Sequence, residues 1–259
     1  MNINREQVLS AFDRYTSDYD VSDVKIKLKI DHTYRVAEIC DKISDSLHLS
    51  SEDRDIAWLT GMLHDIGRFE QLRIYHTFKD KISCDHAALS ADILFKDGNI
   101  RMFTDDSSED ELLEKTIRLH NYYILPDNLT ERELLFINLL RDADKVDIIK
   151  VNCITPRSEI YDIPEADFRS SSISQDVYED IISEHNVDRN HSKTPADYII
   201  GHIAFVYGLV YRQSFVEVRQ QGYLNQMLDF KSDVEDTRMK FKTIKTTINN
   251  YIDRHIVQI

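Results

Sequence analysis

The sequence contains few of the residues that end regular structure or form cross-links: six glycines, four prolines and three cysteines in 259 residues. A β-rich fold needs many tight turns, so the scarcity of glycine and proline favours long helices joined by short loops. Cys40, Cys84 and Cys153 are far apart and form no CxxC pair, and their odd number argues against a disulfide framework. Together these shortages predict an all-α protein of the cytoplasm.

The sequence also has no excess of basic residues and no long apolar run. Its formal net charge is -14, whereas proteins that bind long nucleic acids usually carry a basic face. The longest apolar stretch, residues 198–211, is interrupted by His202 and is shorter than the about 20 residues that a membrane span needs. We therefore expect neither a long nucleic acid nor a membrane as a partner. The acidic net charge does not exclude a small anionic substrate, because a bound metal can invert the local electrostatic field of an acidic site.

Apolar residues recur with a helical period through the first half of the chain. One helix is predicted to open at His32. A second starts after Ser50, whose side chain can cap it, and carries His64 and Asp65 at its C-terminal end. Gly67 is interpreted as the residue that stops this helix.

Further helices follow from capping signals and periodicity. A loop with one short element is predicted at 68–84, and a third helix at about 85–95. A Ser108/Glu111 capping box is predicted to open a fourth helix, which carries His120. A Thr130/Glu133 capping box is predicted to open a fifth helix, which carries Asp144.

The C-terminal part lacks a recognisable motif. The helical pattern weakens over residues 155–174, which are interpreted as an irregular connection. Two long helices are predicted at roughly 195–219 and 222–254, the first opening at Thr194-Pro195. We therefore divide the chain into a helical domain at 1–150 and a region at 151–259, whose helices pack on the first domain or on a second subunit, as in a homodimer.

A set of histidines and aspartates lies near the predicted helix boundaries. Its members are His32, His64, Asp65, His86, His120 and Asp144. Facing helices of a bundle can project such side chains toward one point, and imidazole nitrogens and carboxylate oxygens bind divalent metals. Successive side chains on a helix differ by about 100° in direction. An adjacent His-Asp pair can therefore hold a metal from two sides, or bridge two metals.

Residues 61–69, which read GMLHDIGRF, resemble the signature of the HD superfamily of metal-dependent phosphohydrolases. The upstream His32 and the downstream run 141–145, RDADK, complete the H…HD…D order of that superfamily. The resemblance covers about residues 24–150 and implies an HD-domain helical bundle, to which the long C-terminal helices are additional.

The resemblance also implies the ligand set of one divalent ion, by position His32, His64, Asp65 and Asp144. Members with two ions add two histidines between the His-Asp pair and the last aspartate, where this chain has His86 and His120. Asp65 would then be a bridging carboxylate. The cofactor is expected to be one or two divalent ions (Mn, Fe, Zn, Co, Ni or Mg). His86 and His120 also fit a solvent-facing first-turn residue and a residue that interacts with the helix dipole.

The implied activity is hydrolysis of a small phosphorylated metabolite, such as a nucleotide. A divalent ion lowers the pKa of bound water, so that water can attack phosphorus, and Asp65 is the candidate catalytic residue that orients it. Four basic residues near the motif positions are candidates for binding phosphate: Arg35, Arg68, Arg141 and Lys145.

Two other functions stay open. The same scaffold could be a non-catalytic metal or nucleotide sensor, or a helical interaction protein with a structural metal. A catalytic site keeps open positions for water, whereas a structural site is closed by protein ligands. The chain has several candidate ligands and no clustered cysteines, which favours the open site of an enzyme.

Overall fold

The computed structural model describes residues 1–257, and over that range the chain forms helices and no β-strand. The all-α prediction is therefore confirmed. The chain divides into two compact units, Met1–Asp144 and Lys145–Ile259. The predicted boundary after residue 150 lies within a helix and stays a prediction, and the last two residues of the predicted 151–259 region lie outside the described residues.

The first unit is built from helices that begin early in the chain. They are α1 (Arg5–Thr16), α2 (Val24–Ser46), α3 (Ser51–Leu63), α4 (Ile66–Tyr75), α5 (His86–Ala91), α6 (Asp110–Leu119) and α7 (Glu131–Ile154), the last of which continues beyond Asp144. Helices α2 and α3 pack along each other most extensively, α4 and α6 each pack on α5, and α6 also contacts α3. This arrangement brings the ends of α3, α5 and α6 together.

Of the three helix caps predicted between residues 50 and 133, two are present and one is not. The Ser50 side chain accepts the Asp53 N–H at the start of α3, and Thr130 and Glu133 cap α7 reciprocally, as predicted. The Ser108/Glu111 capping box is wrong, because α6 begins at Asp110 without a side-chain cap. The Ser108 N–H instead donates to the carboxylate of Asp106, which holds that segment in a turn before the helix.

The predicted start of α2 and the predicted loop at 68–84 are also wrong. Asp23 caps α2 at Val24, so His32 lies in the middle of the helix. Lysines alternate with apolar residues over 24–30 and obscure the helical period there. Gly67 does not stop a helix but lies in the first turn of α4. A Cβ at this position would lie 2.6 Å from the backbone nitrogen of Ser90, so glycine permits α4 to approach α5.

The second unit contains mostly short helices. They are α8 (Arg157–Tyr161), α9 (Glu165–Ser170), α10 (Gln175–Ile182), α11 (Pro195–Ile203), α12 (Arg212–Gln221), α13 (Tyr223–Leu228) and α14 (Glu235–Val257). Within this unit α14 packs on α10, α12 and α13. Two of the short helices, α8 and α9, lie in the stretch predicted to be irregular.

The two predicted long C-terminal helices are each interrupted. Thr194 caps α11 and Pro195 follows it, as predicted, and the cap is a capping box with Asp197. However, α11 ends at Ile203, and a 3-10 turn precedes α12. The second predicted helix is broken between α13, which ends at Leu228, and α14, which begins at Glu235. Gly222, with φ 72°, ends α12 at the predicted boundary between the two helices. Only α14 is long, because turns at these points redirect the chain inside the second unit.

The close packing of α2 and α3 depends on Gly61. A Cβ at Gly61 would lie 2.6 Å from the Cα of Ala37 on α2, closer than real contacts allow. Three residues later, His64 ends α3. The separation of the two helices, and with it the distance between His32 and His64, is therefore set by a residue without a side chain.

Replacing Gly61 by alanine is expected to destabilise the protein by about 1–3 kcal/mol, because the clash is with backbone that cannot move aside independently. The matched control is Gly201→Ala in α11, where a Cβ meets nothing within 4 Å; there the better helix propensity of alanine should leave stability unchanged or raise it by about 0.5–1 kcal/mol. Urea denaturation followed by circular dichroism measures both. Equal stability of Gly61→Ala and the wild type would contradict the packing argument.

Candidate metal centre

Side chains from three helices of the first unit meet at one point in its interior. His32 projects from the middle of α2, His64 from the C-terminal end of α3, and Asp144 from α7. The Nε2 atom of His32 lies 3.2 Å from Oδ1 of Asp144, and that of His64 lies 3.8 Å from the same oxygen. These three residues form a group whose ligand atoms all lie within 4.8 Å of one another.

Asp65 occupies the junction between α3 and α4. Its carboxylate makes no capping bond to α4, so both oxygens face other side chains. Oδ2 lies 3.6 Å from Nε2 of His32 and 3.5 Å from Nε2 of His64, whereas Oδ1 lies 3.7 Å from Nε2 of His86. The two oxygens of one buried carboxylate therefore face two different sets of histidines.

His86 and His120 lie on the second side of Asp65. His86 is the first residue of α5, and His120 follows the last residue of α6. Their Nε2 atoms are 3.2 Å apart. Nδ1 of His120 faces the carbonyl of Ile117 at 2.7 Å, and Nδ1 of His86 faces the carboxylate of Asp80 at 2.5 Å. Since both partners only accept, each Nδ1 carries the proton and each neutral ring presents an Nε2 lone pair to the other.

This donor set fits a divalent cation. His64 repeats the pattern, because its Nδ1 faces the carbonyl of Gly61 at 2.8 Å and its buried Nε2 has no hydrogen-bond partner. Lone pairs and carboxylate oxygens crowded together without protons between them repel one another unless a cation lies among them. Two nitrogen ligands of one ion, each at about 2.1 Å, lie roughly 3.0–3.4 Å apart. The 3.2 Å separation of the His86 and His120 nitrogens matches this range.

Asp80 is a site residue that the sequence analysis missed. Its Oδ2 orients the His86 ring, and its Oδ1 accepts from Arg68 and Gln71 at 2.8 and 2.9 Å. A carboxylate behind a histidine ligand is a common second layer of metal sites. Asp80 lies in a segment read as loop, and no periodicity marked it; only the pairing of His86 with a nearby acid could have suggested it.

Lys29 is the second residue that was missed. Its ammonium lies 2.6 Å from Oδ2 of Asp65, and its side chain is 15% exposed. Lys29 precedes His32 by three residues, so both lie on one face of α2. The same three-residue spacing could have suggested Lys29, since it lies as far before His32 as Arg35 lies after it.

The charges at the centre are strongly perturbed. Burial alone would raise the pKa of Asp65, but the charges of Lys29 and Arg68 beside it hold that pKa well below its usual range. Burial likewise opposes ionisation of Asp80, yet the hydrogen bond from His86 and the charge of Arg68 lower its pKa to about 2. Both carboxylates are therefore anionic at neutral pH and available to a cation.

The histidines are held neutral. Burial lowers the pKa of His64 and of His86, and it lowers the pKa of His120 to about 4. A neutral imidazole is the form that binds metals. The centre therefore presents ligands in their metal-binding protonation states near pH 7.

The four basic residues nominated from the sequence differ in position. Arg68 is at the centre, with its Nε 3.6 Å from Oδ1 of Asp65. Arg141 donates to the carbonyl of Tyr122. Arg35 is half-buried on α2 one turn beyond His32. Lys145 donates to the carbonyl of Gly208 at 2.9 Å in the second unit. A phosphate-binding role for all four stays a prediction.

Because burial lowers histidine pKa values here, metal-free protein should lose stability in mild acid. His120 binds a proton below about pH 6.5 in the unfolded chain, but only below about pH 4 in the folded protein. Because of this residue alone, the free energy of unfolding should fall by about 2 kcal/mol between pH 7.5 and pH 5. The depressed carboxylates keep their contribution over this window, since they ionise at lower pH.

Urea denaturation of metal-stripped protein at both pH values measures this loss. His120→Asn keeps a donor toward the Ile117 carbonyl and cannot titrate, so its loss of stability should be about 2 kcal/mol smaller than that of the wild type. His48→Asn, at an exposed residue with φ 55° that asparagine tolerates, is the control and should behave like the wild type. An identical pH dependence for wild type and His120→Asn would contradict the assignment of a buried neutral ring.

A comparison with protein families finds a match to the HD domain. The model of the HD domain matches residues 30–149, a range that holds the whole His/Asp cluster. Comparison with curated proteins and with solved structures gives no significant match. HD domains bind divalent metals, and their family consists generally of metal-dependent hydrolases. Residues 30–149 of this chain match the HD domain, and the His/Asp groups within that range are consistent with a metal-binding HD site.

Proposed function

We propose that the protein is a metal-dependent phosphohydrolase that acts on a small phosphorylated metabolite, such as a nucleotide. The observation that carries the proposal is the placement of Asp65, whose two carboxylate oxygens face His32 and His64 on one side and His86 on the other. Such an arrangement suits a carboxylate that bridges two ions, and paired ions are common in enzymes that cleave phosphate esters.

The proposed ligands fall into two sets that share Asp65. His32, His64 and Asp144 would hold one ion. His86 and His120 would hold a second. Four nitrogen donors favour Mn, Fe, Co, Ni or Zn over Mg, which prefers oxygen ligands and retains water.

The chain's own residues supply orientation and charge. A bound divalent ion lowers the pKa of water and so makes a nucleophile available near pH 7. Asp65, anionic and fixed at the helix junction, can accept a hydrogen bond from the attacking water and orient it toward phosphorus. Asp80 fixes the ring of His86, and the guanidinium of Arg68 beside Asp65 adds positive charge where a phosphoryl group would enter.

The partner proposed is a small molecule rather than a polymer or a lipid surface. The formal net charge is -14, which opposes binding to long nucleic acids at physiological salt. Among the described residues no helix is both long and apolar enough to cross a bilayer. Arg68 and Lys29 both lie beside Asp65. Two cations at one point suit a single phosphoryl group.

The function is tested by removing the shared ligand. Asp65→Asn should lose bound metal and more than about a hundredfold in turnover, since even second-layer changes commonly cost 10–100-fold. The readouts are elemental analysis and a phosphate-release screen of Mn-loaded protein over nucleotides and sugar phosphates. Asp31→Asn, an exposed neighbour of His32, is the control and should retain both properties. A wild type that holds its metal and releases phosphate from none of these esters would contradict the hydrolase proposal.

The metal count is tested at the second set. Wild-type protein loaded with excess Mn and then desalted should hold two ions, and His86→Gln should hold one, because His86 contributes one of the two nitrogens that face each other. His48→Gln, at an exposed residue, should hold two. Anomalous scattering from crystals counts the ions independently of activity. A single ion in the wild type, away from His86 and His120, would remove the second site and leave the hydrolase proposal standing.

A further inference from the structure

We propose that Lys29 binds the phosphoryl group of the substrate. This inference rests on the proposed function and adds a residue that lies one position before the start of the matched HD domain. Its ammonium is at the centre already, 2.6 Å from Oδ2 of Asp65. The question is which group it contacts once that oxygen binds a cation.

The charge balance of the centre gives an answer. The centre holds three carboxylates, Asp65, Asp80 and Asp144, and two cations, Lys29 and Arg68. The metal-free centre therefore has one negative charge in excess. Each divalent ion adds two positive charges. A loaded centre is therefore positive, and Asp65 no longer needs Lys29 as its counter-ion. With two ions the net charge of -1 becomes +3, and an incoming dianionic phosphoryl group lowers it to +1.

Among the cations near the cluster, Lys29 is the one best able to move to an anion. Nη1 of Arg68 is fixed by Gln71, Phe78 and Asp80 at 2.7–2.8 Å. Lys29 has a flexible four-carbon stem and a polar contact to Asp65 itself. A small rotation of the Lys29 side chain can therefore move its ammonium from Asp65 to an anion that is bound beside that carboxylate.

Phe78 restricts where that ammonium can go. The Lys29 nitrogen lies 5.6 Å from the centre of the Phe78 ring, and the Arg68 guanidinium lies 5.7 Å from the same ring. A cation over an aromatic face is attracted to it, so the ring keeps both positive groups beside Asp65. The side chain of Lys29 is 15% exposed, which leaves it reachable by a small anion.

The test measures binding of inorganic phosphate by calorimetry to protein that has been loaded with Mn and desalted. Lys29→Met removes the charge, Lys29→Arg keeps it, and Lys27→Met removes an exposed charge from the same helix. A charge-assisted hydrogen bond contributes enough for Lys29→Met to weaken phosphate binding at least about tenfold. Lys29→Arg should stay within about threefold of the wild type, and Lys27→Met should match it. Circular dichroism verifies that every variant is folded, and elemental analysis gives its Mn content.

Wild-type phosphate affinity in Lys29→Met with full Mn content would overturn the proposal. Loss of Mn from Lys29→Met would overturn it too, since Lys29 would then act through Asp65 as a positioning residue. A wild type that binds no Mn would defeat the proposed function and this inference together, whereas full Mn in the wild type with unchanged phosphate binding in Lys29→Met defeats the inference alone.

Discussion

The buried carboxylate of Asp65 is the constraint on which the first unit depends. An ion removed from water costs several kcal/mol unless charged and hydrogen-bonding partners replace the solvent, and Asp65 sits at the end of α3 where its side chain is 3% exposed. Lys29 on α2 and Arg68 on α4 are those partners. Each of these helices must therefore pack so that one side chain reaches the same carboxylate, which relates the arrangement of the bundle to the chemistry of its centre.

The histidines show that this centre is arranged for a ligand rather than for stability alone. Three of them direct Nδ1 to an acceptor outside the cluster, namely Gly61, Ile117 and Asp80. Each Nε2 is therefore an unprotonated acceptor on a buried side chain. Buried acceptors without donors destabilise a fold. A cation among them turns the same atoms into ligands without any rearrangement of the rings, which is the preorganisation expected of a binding site.

The sequence predicts some residues of this centre and not others, and the reasons differ from residue to residue. The His/Asp set could be assembled because a local motif fixed His64-Asp65 and the order of the chain supplied its partners. Asp80 could not be predicted, since it lies in a short 3-10 turn that no periodicity marks, and only its contact with His86 places it at the centre. The helix α4 was missed because Gly67 reads as a stop, whereas here glycine provides room for Ser90. The interruptions of the C-terminal helices come from turns that hydrophobic periodicity does not reveal, such as the 3-10 turn at Ala204–Gly208.

The ligands are distributed so that metal binding and folding of the first unit are coupled. They come from α2, the end of α3, the start of α5, the end of α6 and α7, and the unfolded chain holds no preformed site. A ligand that binds only the folded state stabilises it in proportion to the logarithm of its concentration over the dissociation constant, and metal bound this way contributes directly to folding. Repulsion among the unprotonated acceptors lowers the stability of the metal-free unit, and binding removes it. The stabilisation on loading therefore has two sources, the ligand bonds formed and the repulsion relieved.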